Sequence, residues 1–326
     1  MARSESDTKP ARGLLGRLRR GKKERAQADA SAARATAAAE ARKKSLYKPE
    51  RPPEKPIDPA WPPHRVRLMD RLWGMGHSLP GGDEYILEQF RVFSPSSAMS
   101  MLQVNAGMGG DGRSLALNFG TWVTSIEVSD PLVESGMKES YKHGLEKKAP
   151  VISFNPERMK VRPNGFDVVF SRLGLHRLPD KEKTIEQMCA GVKPAGHLLL
   201  IEFMPGDKPD PGALEHWAEN EPSRPHLIPG PRLAELIRAE DMDLRVVQDV
   251  SPDYRKMVMQ GFATLMAGLK KKHLQEDREL GVALMREAEI WMRRLALMDS
   301  GVLKIVRFHA IAPASKRKKK KPPELS

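Results

Sequence analysis

The segment MLQVNAGMGGDGRSLA, residues 101–116, constrains this chain more than any other. A short apolar run enters a turn holding Gly107, Gly109, Gly110 and Gly112, and a helix-compatible stretch leaves it. The next apolar run, 122–128, contains Glu127 near its end, 20 residues after Gly107. Glycine lets backbone approach another group closely, so strand, glycine turn and helix followed by a second strand ending in an acid reads as the first unit of an open α/β sheet.

The rest of the chain continues that alternation. Strands are expected at 101–105, 122–128, 150–154, 166–171, 197–203, 244–249 and 302–311. Several are near-continuous apolar runs, as in a sheet covered on both faces. The intervening helices are amphipathic, with Val133, Met137, Tyr141 and Leu145 on one face and Ile185, Cys189 and Val192 on another. The reading is an α/β, Rossmann-like, doubly wound seven-stranded sheet. Two parts interrupt the alternation. Residues 64–99 form an N-terminal helical segment, with helices at Val66–Trp73 and Glu84–Phe93 around an LPGG turn. Residues 252–299 form a helical insert before the last strand, with stripes at Val258, Phe262, Leu265 and Leu269 and at Leu284, Ala288, Trp291, Leu295 and Met298. Such stripes suit core packing and also a cap over a pocket. Met257, Met259, Met266, Met285, Met292 and Met298 suit an adaptable apolar wall for it.

The net charge of +13 is not spread evenly. Residues 1–60 carry 16 Lys/Arg against 8 Asp/Glu, and residues 313–326 carry 6 against 1, which leaves 33 of each sign in 61–312. Residues 1–60 are read as a disordered basic, Pro-rich tail and linker, 61–312 as the folded domain, and 313–326 as a disordered basic tail. The tails suit solvation, or weak nucleic-acid or anionic-membrane contact, while the neutral domain disfavours a large polyanion across its surface. No run of about 20 apolar residues predicts a transmembrane segment, and the first 20 residues lack a secretory apolar core. The single cysteine, Cys189, sits in an apolar pattern and reads as a buried hydrophobe. The expected location is cytoplasmic.

The glycine turn with its downstream acid suits two adenosine-containing cofactors equally well. A dinucleotide would place its pyrophosphate at the helix N-terminus. S-adenosylmethionine would place its sugar and amino-acid part there. Either presents ribose hydroxyls to Glu127.

Residues 166–203, FDVVFSRLGLHRLPDKEKTIEQMCAGVKPAGHLLLIEF, closely resemble the fourth- and fifth-strand region of class I S-adenosylmethionine-dependent methyltransferases, of the methyltransferase type 11 kind. LQVNAGMGG resembles that family's first motif, SIEVS its second, and VLKIVRFHAIAP its antiparallel last strand. The resemblance covers about residues 64–312. LWGMGHSLPGG, residues 72–82, resembles the segment that closes over the cofactor in phosphoethanolamine and sarcosine/dimethylglycine N-methyltransferases. It implies transfer of a methyl group to N or O of a small-molecule acceptor. It also implies a cofactor site made of Gly107, Gly109, Gly110, Gln103, Glu127, Asn155, Ser171, Gly81 and Gly82, with His176 as the catalytic base or as a buried structural histidine. Tyr85, Tyr254 and Arg172 are further candidates for the pocket. His77 and His143 read as exposed, and no spacing of His, Cys, Asp or Glu suggests a metal site.

The chain departs from that pattern at two places. Gln103 stands where the first motif has an acid, and Asn105 where it has its first glycine. Asn tolerates left-handed backbone, so the turn can keep its shape. After the third strand, Asn155 and Glu157 replace an acid that faces adenine. These departures keep a second reading open, a catalytically degenerate binding module. RNA or protein methylation through the basic tails is a third, and a nicotinamide oxidoreductase a minor fourth.

Overall fold

The computed structural model describes residues 58–74, 76–269 and 277–315. The two tails, apart from a few residues beside the domain, lie outside that range, as do the expectations placed on them.

Seven strands form one sheet in the order β3-β2-β1-β4-β5-β7-β6. They are β1 (Ser100–Val104), β2 (Trp122–Glu127), β3 (Val151–Ser153), β4 (Phe166–Arg172), β5 (Val192–Pro205), β6 (Asp243–Asp249) and β7 (Leu303–Ile311). β1 runs parallel to both β2 and β4, and β4 parallel to β5. β7 inserts antiparallel between β5 and β6. The order reverses at β1, so a crevice opens beyond the carboxyl ends of β1 and β4, where open α/β sheets bind ligands.

All five residues of β1 are buried, the polar Ser100 and Gln103 included, as a strand covered on both faces requires. The helices are α1 (Pro63–Leu72), α2 (Gly82–Arg91), α3 (Gly110–Phe119), α4 (Asp130–Lys142), α5 (Glu182–Gly191), α6 (Pro211–Glu219), α7 (Gly230–Ala239), α8 (Ser251–Gly268) and α9 (Arg278–Asp299). α2 lays Ile86 and Phe90 on the sheet, where Phe90 meets Phe170 edge to face at 4.8 Å. α8 and α9 are the helical insert. They enclose α1 through Trp73, which contacts Phe262 at 5.7 Å and Trp291 at 5.9 Å. This cluster continues to Ile201 and Phe203 on β5 and to Met108 in the glycine turn, so the insert is packed onto the crevice rather than beside it.

Three expectations are corrected. β5 begins at Val192, not 197, because Ala195 adopts φ 57° and donates its N–H to Ala312 O at 3.1 Å, which bends the KPAG stretch without ending the strand. Met259, Met266, Met285 and Met292 face solvent at 56–68% exposure, since the helices turn Val258, Leu265, Trp291 and Leu295 inward, whereas Met257 lines a cavity beside α2. His77 is buried, not exposed, because the leading segment folds back over α3. Cys189 is buried as expected.

Candidate cofactor and methyl-transfer site

The glycine turn leaves β1 through Asn105 (φ 52°) and Gly107 (φ 60°). Asn105 keeps the left-handed geometry that a glycine would supply. Its Nδ2 donates to Gly174 O at 2.8 Å, which fixes the amide and leaves the buried Oδ1 without a partner among the described residues. Gly107 N donates to Glu127 Oε2 at 2.7 Å, and Ser129 N donates to Oε1 at 2.9 Å. The acid at the end of β2 is therefore wired to the turn. A Cβ on Gly107 would meet Ser78 Oγ at 2.0 Å, so the leading segment lies directly on the turn.

The same segment explains Gly110. A Cβ there would stand 2.5 Å from Gly76 O and 2.6 Å from His77 Nδ1. The fourth glycine makes room for the chain's own leading segment. That segment is held by a buried polar network. Arg172 donates Nε to Asp111 Oδ2 at 2.8 Å and Nη1 to Pro80 O at 2.7 Å. Arg113 donates to Gly76 O at 2.9 Å. His77 reaches Asp83 through Nε2 at 2.8 Å and Asp111 through Nδ1 at 3.4 Å. Burial opposes charge on His77, but the two carboxylates outweigh it and raise its pKa. The histidine in turn holds Asp83 down at about 2.

Gln103 belongs beneath this network. Its Nε2 donates to Asp111 Oδ2 at 3.2 Å and its Oε1 accepts from Ser125 Oγ at 3.2 Å. An acid at 103 would face the Asp111 carboxylate. The amide avoids that like-charge contact, which gives the departure at this position a local cause.

At the other end of the crevice, His176 Nδ1 lies 2.8 Å from Glu202 Oε1. Glu202 also accepts from the N–H groups of Leu175, His176 and Phe203. Acting only as an acceptor, it assigns the proton to Nδ1 and leaves Nε2 with a lone pair. His176, Asn105 and Gly107 line one cavity with Ser78, Trp291 and Arg294. Its walls carry two further buried ion pairs, Arg65 Nε to Glu287 Oε2 at 2.9 Å and Arg294 Nη2 to Glu221 Oε2 at 2.6 Å.

Not every expected residue meets there. Gly109 faces Val151. Ser171 Oγ is spent on Val104 O at 2.8 Å. Asn155 caps a short turn by accepting from Glu157 N at 2.9 Å. Gly81 and Gly82 line a different cavity, about 620 Å³, between α2 and α8. Arg172 and Tyr254 are buried inside the network. Glu202, Asp111 and Arg177 escaped the sequence reading. Glu202 carried a signal, an acid at the end of an apolar strand like Glu127. Among the described residues no group of three or more His, Cys, Asp or Glu is placed to hold a metal.

Residues 95–245 match the family model described as a methyltransferase domain. Together with the strand order, this makes the region a class I methyltransferase domain, the S-adenosylmethionine-dependent class. The chain is 29% identical over 141 residues to phosphoethanolamine N-methyltransferase 2 of Caenorhabditis elegans, covering 41% of this chain and 31% of the relative. It is 29% identical over 107 residues to a glycine/sarcosine/dimethylglycine N-methyltransferase of Actinopolyspora halophila, covering 33% of this chain and 19% of the relative. The chain thus spans a third or less of either relative. A Haemonchus contortus phosphoethanolamine N-methyltransferase 2, solved with S-adenosyl-L-methionine, superposes with a TM-score of 0.64 at 18% identity, over 76% of this chain and 56% of that one. A sarcosine dimethylglycine methyltransferase structure from Galdieria sulphuraria gives 0.64 at 14% identity, over 77% and 98%. The last two comparisons concern the fold.

Proposed function

We propose that this chain is an S-adenosylmethionine-dependent methyltransferase acting on N or O of a small-molecule acceptor. The observation that supports the reading is the bond from Gly107 N to the Glu127 carboxylate, which holds that acid against the glycine turn, the arrangement that suits ribose hydroxyls. Asn105 Oδ1, a buried acceptor without a partner among the described residues, suits the ammonium of the cofactor's amino-acid part. The donors and acceptors present therefore fit the group. The space is less generous: the cavity is about 60 Å³, room for a few waters, whereas pockets for such ligands run to about 300 Å³ or more.

When bound, the cofactor supplies a methyl group activated on a sulfonium. The chain's task is then positioning and proton removal. His176 Nε2, which carries the lone pair in the tautomer set by the Glu202 contact, can take a proton from an acceptor that arrives protonated. Phe203 meets the His176 ring edge to face at 5.2 Å and holds its plane. Arg65 and Arg294, each held by a carboxylate, line the same cavity as His176.

An assay of S-adenosylhomocysteine release with a panel of small amines and hydroxy compounds tests this reading. Turnover lost in His176→Asn supports it. A second reading, a binding module without turnover, is favoured by Gln103, since Gln103 offers no charge and Arg172 neutralises the nearby Asp111. Binding of the cofactor with no release on any acceptor would favour that second reading.

A further inference from the structure

We infer that Arg177 is an affinity-setting residue of the cofactor site, occupying the carboxylate that a ribose must claim; the inference rests on the reading above. Arg177 follows His176 in the short turn beyond β4, and its Nη2 donates to Glu127 Oε2 at 2.7 Å. The same oxygen already accepts from Gly107 N, and the other accepts from Ser129 N. Glu127 is fully buried, so every contact it makes belongs to the chain itself. Two of its partners are backbone groups, Gly107 N in the glycine turn and Ser129 N just beyond β2. Arg177 is the side chain among them, 13% exposed, and it lines the small cavity. A ribose hydroxyl can reach Glu127 by taking the place of the guanidinium.

The arrangement has a consequence for binding. A buried carboxylate gives up a charged donor only for another good donor. The ligand must therefore displace Arg177 before it binds, and the apparent affinity falls by the fraction of molecules in which the pair is open. Displacement also enlarges the cavity, since Arg177 lines it. A ligand with vicinal hydroxyls compensates Glu127, whereas one without them leaves a buried charge unpaired. Arg177 thus both weakens the cofactor and makes the site demand a ribose.

Calorimetric titration of the full chain with S-adenosylhomocysteine tests this, using wild type, Arg177→Gln and Arg177→Lys, with thermal melts confirming that each is folded. Arg177→Gln, which removes the competing charge and keeps a donor for Glu127, is expected to bind at least tenfold more tightly than wild type. Arg177→Lys, which keeps the charge, is expected to stay near wild type. Arg177→Met serves if the Gln variant melts early. Binding by wild type that is unchanged or weakened in the folded Gln variant overturns the inference and leaves the cofactor reading intact. No binding by any folded variant at millimolar ligand overturns the cofactor reading, and the inference with it.

Discussion

Arg172, at the last position of β4, forms a buried ion pair with Asp111 in the first turn of α3, with Nη2 2.5 Å from Oδ1 and both side chains under 5% exposed. Through Pro80 O the same guanidinium ties the leading segment to the sheet. One residue thereby joins the glycine turn, a strand end and the segment that covers them. Asp111→Asn leaves Arg172 charged and uncompensated, and the expected loss is about 3–5 kcal/mol. The double variant Asp111→Leu with Arg172→Met is expected to lose less than Asp111→Asn alone. Urea unfolding of the three proteins checks both statements.

His77 makes the leading segment pH-sensitive. Its folded pKa is raised by Asp111 and Asp83 against burial. The charged form is favoured by folding, so its contribution is complete below the unfolded value of about 6.5 and fades as pH rises through the folded value. The melting temperature of wild type should fall over that rise relative to His77→Gln. Parallel curves for the two proteins would show that the clamp does not depend on the imidazolium.

A second histidine site acts in the opposite direction. His197 Nδ1 and His309 Nε2 lie 3.1 Å apart beside Phe93, whose ring stacks on His197 at 4.7 Å. Burial, then the neighbouring histidine and Arg307, lower His309 to about 4. Folding favours the neutral ring, so stability is complete above about 6.5 and lost as pH falls toward 4. Both residues are only partly buried, so the effect is modest. Urea midpoints between pH 7 and pH 4.5 should fall less in His309→Asn than in wild type.

The sheet was legible because its strands announce themselves by apolar continuity, and because turn, acid and last strand keep family spacing. The insert was legible as helices, but not its outward methionines. A stripe of apolar residues shows which face can be buried, and α9 has more apolar residues than its buried face can use. The electrostatic wiring was harder to foresee. Asp111, Arg172, Arg177 and Glu202 come from four elements, and their pairings depend on how β1, β2, β4 and β5 align. His77 reads as exposed in sequence because only the folded chain brings Asp83 and Asp111 to either side of its ring.

The His176–Glu202 pair predicts a specific kinetic pattern. His176→Asn should lower kcat by about 10²-fold or more if the histidine removes the acceptor proton. Glu202→Gln should weaken the Nδ1 contact and move the acid limb of the pH–rate profile, where a general base is lost to protonation, with KM for the acceptor little changed. Equal losses in kcat at every pH for both variants would assign the pair to structure instead.

The most direct test of the account is calorimetric titration of the full chain with S-adenosylhomocysteine in wild type and Glu127→Gln. The account predicts measurable binding by wild type and at least tenfold weaker binding by the folded Gln variant, because the ribose loses its carboxylate. Equal affinities, or no heat from wild type at millimolar ligand, would contradict it.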